Sequence, residues 1–84
     1  MTIPEFKFRA VVAINEHLNH SDDKLIFLVR PSLFMEMQRD KGFTKGDASA
    51  RLSYNNVDIW MRIPENDFTL AIDGEAGFEV LGEY

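Results

Sequence analysis

The side chains best suited to chemistry lie near residue 20. His17 and His20 stand three apart and are followed by Asp22 and Asp23. Two imidazoles on one helix face beside carboxylates are donors of the kind that hold zinc or another divalent ion. A small metal-dependent hydrolase using His17 and His20 is therefore one reading of the chain. The competing one is a solvated helix terminus, where histidine suits the negative end of the helix dipole. We prefer the terminus, because all four donors crowd one helix end and its turn and no third ligand stands out. No metal or other cofactor is expected.

Other chemistry is thinly represented. There is no cysteine to act as nucleophile or thiolate ligand. No serine sits in a glycine-flanked strained turn. Lys45-Gly46 lacks the glycine spacing and the following Lys-Ser/Thr of a phosphate-binding loop. No catalytic residue is assigned, and an enzyme is not the expected outcome.

Residues suited to binding a partner are more distinct. Trp60 is the only tryptophan, and Arg51 and Arg62 flank it. A tryptophan clustered with arginines on a polar sheet face has the composition of an interface anchor. If a helix covers that face, Trp60 is core instead. The second candidate contact surface is acidic. Residues 64–84 contain Glu65, Asp67, Asp73, Glu75, Glu79 and Glu83 and no basic residue, whereas acids and bases balance over residues 1–47. Such a surplus keeps a small domain in solution, meets a basic patch on a partner, or imitates nucleic-acid phosphates.

These residues need elements to carry them. The chain is organised around residues 24–38, KLIFLVRPSLFMEMQ. Leu25 to Val29 is a continuous apolar run, too short for a membrane span, and reads as a strand covered on both faces. Pro31 suits the first turn of a following helix, with Ser32 a second candidate cap. Leu33, Phe34 and Met37 form its apolar face, and Gly42 closes it.

Upstream, residues 4–20 fit two periods. Phe6, Phe8, Ala10, Val12 and Ile14 alternate as in a strand, while Ile3, Phe6, Ala10, Val11, Ala13, Ile14 and Leu18 share one side of a helix. The helix is preferred because its pattern continues through Leu18, leaving Phe8 and Val12 outside the core face. Residues 21–23 then turn into the central strand, and residues 42–49 read as the one clear loop.

Asn55-Asn56 is a two-residue hairpin turn that tolerates positive φ at both positions. The register it sets pairs Tyr54 with Val57, Leu52 with Ile59 and Arg51 with Trp60. Ala50, Leu52, Tyr54, Val57, Ile59, Met61 and Ile63 then share a core face, and Arg51, Ser53, Asp58, Trp60 and Arg62 share the other. Residues 65–67 turn the chain into a strand of Phe68, Leu70 and Ile72. Residues 74–77 turn again before a last strand carrying Phe78, Val80 and Leu81.

The whole is a single α+β domain over residues 1–84. It has an N-terminal helix, a strand-Pro-helix unit and an antiparallel sheet of about four further strands, with helices packed on one face. Ten aromatics and 45% hydrophobic residues support a packed core. A net charge of −5 argues against direct nucleic-acid binding. No basic-then-apolar leader or membrane-length run is present, so a cytoplasmic location is the default and Asn19-His20-Ser21 is a chance glycosylation sequon. The expected function is a small, soluble, non-enzymatic protein–protein interaction or assembly module, whose partner is another protein or a second copy. The alternatives are an acidic inhibitor occupying the basic site of a nucleic-acid-binding protein, and the His17/His20 hydrolase.

Overall fold

The computed structural model describes residues 1–20, 22–46, 51–64 and 66–84. Ser21, residues 47–50 and Glu65, assigned above to a turn, to the end of the loop and the start of the hairpin core face, and to the acidic set, lie outside the described residues.

Helix α1 spans Ile3–Glu16. Thr2 caps it from an extended backbone, its hydroxyl oxygen accepting the Glu5 N–H at 3.3 Å. That cap and Pro4 in the first turn select the helix over the competing alternation. Its buried side chains are Phe6, Ala10 and Ala13. Val11 and Leu18, expected in the core, are 38% and 60% exposed. Two alanines on the inner face let the helix approach closely but leave a narrow buried arc that excludes Val11. Leu18 falls beyond the α-helix, in a 3-10 turn over Leu18–His20, where the 3.6-residue period no longer applies.

The central run forms β1, Leu25–Val29, and leads through Arg30 into α2, Pro31–Arg39. Arg30 is the N-cap residue, with no side-chain cap, and Ser32 lies inside the helix. The helix ends at Asp40 before Gly42 is reached, and the Gly42 N–H instead donates to the Asp40 carboxylate at 2.7 Å. The remaining strands are β2 (Thr44–Lys45), β3 (Leu52–Tyr54), β4 (Val57–Met61), β5 (Phe68–Gly74) and β6 (Gly77–Glu83).

One six-stranded sheet results, ordered β2-β3-β4-β1-β5-β6. Five strands follow β1, one more than expected, because β2 forms inside the segment read as a loop, next to the buried Phe43. The sheet is antiparallel except between β1 and β4, which run parallel because α2 carries the chain back before β4 is laid down. The β3–β4 hairpin has the expected register, with Asn55 and Asn56 at φ 51° and 64°. Met61 and Ile63 depart from the expected core face, being 51% and 82% exposed. Met61 is opposite Val29, the last residue of β1, so the chain beyond it leaves the covered part of the sheet.

Both helices pack on the side reached by Phe27 and Val29. Phe6 sits at the centre, with ring centroids 5.1 Å from Phe68 and 5.4 Å from Phe27, both edge to face. Favourable aromatic geometry of this kind adds to the stabilisation from burial. Tyr84 closes the same layer. Its ring stacks on Phe68 at 5.1 Å and its hydroxyl donates to Glu16 at 3.0 Å. Burial, reinforced by the Glu16 carboxylate, pushes the phenol up to about 12. Two ion pairs brace the layer: Lys7 to Asp40 at 3.0 Å joins the helices, and Arg9 to Asp67 at 2.7 Å ties α1 to the segment before β5. Among the described residues, no helix is long and apolar enough to cross a membrane.

Candidate functional site

Alternate residues of a strand point to opposite sides, so β1 sends Phe27 and Val29 to the helices and Ile26 and Leu28 away from them. Cross-strand pairing extends that outward side across the sheet. Trp60, Leu28, Thr69 and Glu83 fall in one row, and Asp58, Ile26, Ala71 and Val80 in the next. No described helix covers this side, although β1 is covered on both faces as its continuous apolar run implies.

Ile26, Leu28 and Ala71 are nonetheless buried, forming a small second cluster against which Phe78 packs. Among the described residues, side chains supply the cover. The Trp60 ring meets Phe78 edge to face, with centroids 5.6 Å apart, although their strands are three places apart in the sheet. The Arg62 guanidinium lies 4.8 Å from the centre of the Phe78 ring, within cation–π range. Sheet twist lifts the Trp60 and Phe78 corners toward one another, so the rings bridge the strip diagonally. The roof is open: Trp60 remains 44% and Val80 54% exposed.

Beside the bridge lies a groove of about 400 Å³. Leu28 and Thr69 line it together with Arg62, Ile63, Val80 and Glu83. A second depression of about 310 Å³ shares Trp60 and adds Lys24, Arg51 and Asp58. Trp60, Arg51 and Arg62 are thus gathered on one side of the sheet, Arg51 exposed just before β3. Phe78 and Val80 belong to this surface too but escaped assignment from sequence. Their alternation marked a strand, yet only the sheet order brings that strand round to face Trp60.

The acidic set is divided. The Arg9 guanidinium, hydrogen-bonded to Asp67, holds that carboxyl below its ordinary value. Asp73 pairs with Lys24 at 3.6 Å. Glu75, Glu79 and Glu83 are exposed on the β5–β6 hairpin. Two of the acids read as a contact surface are therefore also internal braces. Elsewhere, the Gly42 N–H and then Lys7 hold the Asp40 carboxyl low.

His17 caps the C-terminal end of α1. The His20 Nδ1 lies 2.9 Å from the Asp23 carboxylate, and the two imidazole centroids are 6.3 Å apart. Among the described residues, no group of three His, Cys, Asp or Glu side chains is arranged to hold a metal ion. A second apolar surface runs along the outer side of α1, where Phe8 is 73% exposed beside Val11 and Val12. In comparison with known proteins, no family model matches the chain, and no curated protein or solved structure matches it significantly.

Proposed function

We propose that the protein is a small non-enzymatic interaction module that docks another polypeptide on the helix-free side of its sheet. The observation that carries this reading is the strip of Ile26, Leu28 and Ala71, roofed among the described residues by the half-exposed Trp60, the partly buried Phe78 and Arg62. Trp and Arg at the centre of an apolar patch are the side chains that dominate binding energy when a partner excludes water from them. The groove beside them gives the partner relief to fit, and Arg62 and Glu83 on its walls supply polar rim contacts.

The experiment is site-specific photocrosslinking in the native cells. A photoreactive phenylalanine analogue replaces Trp60 in one variant and Met35, 55% exposed on α2, in another. A discrete protein adduct from position 60 and none from position 35 is the expected result. A folded position-60 variant that yields no adduct overturns the reading.

A further inference from the structure

We infer that Tyr84 is a latch, through which the end of β6 and the C-terminal half of α1 open and close as one unit.

Helix α1 breaks a local rule at its end. Glu16 is its last residue, and its last turn holds no basic side chain. A carboxylate there faces the negative end of the helix dipole and weakens the helix on its own. The inner side gives this half little hold. Ala10 and Ala13 are buried but small, and Ile14 is only partly buried. The large anchor, Phe6, and the Lys7–Asp40 pair both lie toward the N-terminus.

What offsets Glu16 comes from the residue after β6. The Tyr84 hydroxyl donates to the Glu16 carboxylate at 3.0 Å. The same residue is fixed to β5 and the segment before it. Its N–H donates to the Phe68 carbonyl at 2.8 Å, and its carbonyl accepts the N–H groups of Asp67 at 2.7 Å and Phe68 at 3.1 Å. Its ring stacks on Phe68 with planes 13° apart. Gly82 leaves room for that ring, since a Cβ there would stand 2.9 Å from it. Arg9 completes the arrangement, its guanidinium 5.6 Å from the centre of the Phe68 ring while it bonds Asp67. The polar ties of α1 at Arg9 and at Glu16 therefore both end on one knot of Asp67, Phe68 and Tyr84.

The strand order lets this knot open locally. β6 is last in the sheet, so its end can leave β5 without breaking any other described pairing. The register shift between Leu70 and Ala71 already interrupts the ladder just before that end. Once Tyr84 lifts, Glu16 is left uncompensated and the last turns of α1 lose their hold. Coupling of this kind acts equally in both directions, so a loosened helix end also frees Tyr84. β6 carries Phe78 and Val80 to the helix-free side and Leu81 and Tyr84 to the helix side. A shift of this one strand is thus felt on both.

Native-state amide hydrogen exchange, followed by NMR on the full chain in low denaturant, tests the latch. In the wild type, the amides of Ala13, Ile14, Asn15 and Tyr84 should exchange through one common opening, easier than the global opening reported by β1. Glu16→Ala gives the sharpest reading. Alanine is the better helix former and removes the unfavourable charge, so without a latch the helix amides would exchange more slowly and Tyr84 would not respond. With the latch, both sets should exchange faster by a common factor of about three or more. Gly82→Ala, which displaces the ring from within β6, should speed both sets by about tenfold. The double variant should add little to the larger single effect, because both changes break one linkage. If Gly82→Ala unfolds the chain, Glu16→Ala alone carries the decision. Slower helix exchange in Glu16→Ala overturns the latch, and so does a wild type whose helix amides open only together with β1.

Discussion

The two sides of the sheet bury their central side chains by different means. On one side, Phe27 and Val29 lie beneath two helices, and Phe6 fills the space between the layers. On the other, Ile26 and Leu28 are also buried, yet among the described residues it is the side chains of Trp60, Arg62 and Phe78 that cover them. Helices are fixed to the sheet by many contacts and by their own hydrogen bonds. A roof of two rings and a guanidinium is held by a few contacts, and can rearrange at low cost. The first side therefore carries most of the core, and the second leaves Trp60 and Val80 partly in water.

Truncation separates the two most sharply. Phe6→Ala should cost about 3–5 kcal/mol, since it empties the centre of the main core. That is a large share of the stability of a domain this size, so a collapsed or unfolded product by chemical denaturation is expected. Trp60→Ala should cost about 2 kcal/mol, because roughly half of that large side chain is already in water. The protein should remain folded, with Tyr84 still packed on Phe68. Equal losses for the two variants would erase the distinction between the sides.

A smaller effect probes the brace between α1 and the chain entering β5. Asp67 has its carboxyl lowered by Arg9, so its contribution is present above the unfolded value near 3.8 and lost as pH falls through the lower folded value. Asp67→Asn should reduce stability at neutral pH and flatten the acid limb of the unfolding profile. An unchanged acid limb would show that the pair does not brace the helix side. At the other extreme, Tyr84 is raised to about 12, so its contribution is intact below the unfolded value of 10.0 and fades as pH climbs through the folded one. Tyr84→Phe should remove the late component of the alkaline absorbance titration. Smallest of all, Asn56→Gly should stabilise the fold by less than about 1 kcal/mol, read as a small rise in thermal midpoint, since φ 64° costs glycine nothing.

Several features were legible in the chain because they rest on local rules. Thr2 and Pro4 start a helix, Leu25 to Val29 extends, Pro31 opens the next helix, and Asn55-Asn56 sets a hairpin register without reference to anything distant. Trp60 could be put opposite the core face by counting from that turn. Val11 and Leu18 were misjudged because periodicity gives the direction of a side chain but not how wide a neighbour will be. The short β2 was missed because two residues carry no pattern, and it forms only because β3 offers an edge.

The sequence by itself determined the elements, the hairpin register and the uneven placement of charge, all of which follow from backbone preference and neighbouring residues. Only the tertiary structure decided which elements cover which side. The continuous apolar run requires that both faces of β1 be kept from water, but it cannot say whether helices or side chains will do so. Strand order settles that, by bringing Phe78 from the end of the chain within 5.6 Å of Trp60 and placing Arg62 over it. Contacts between residues far apart in the chain depend on that order, and no local spacing encodes it.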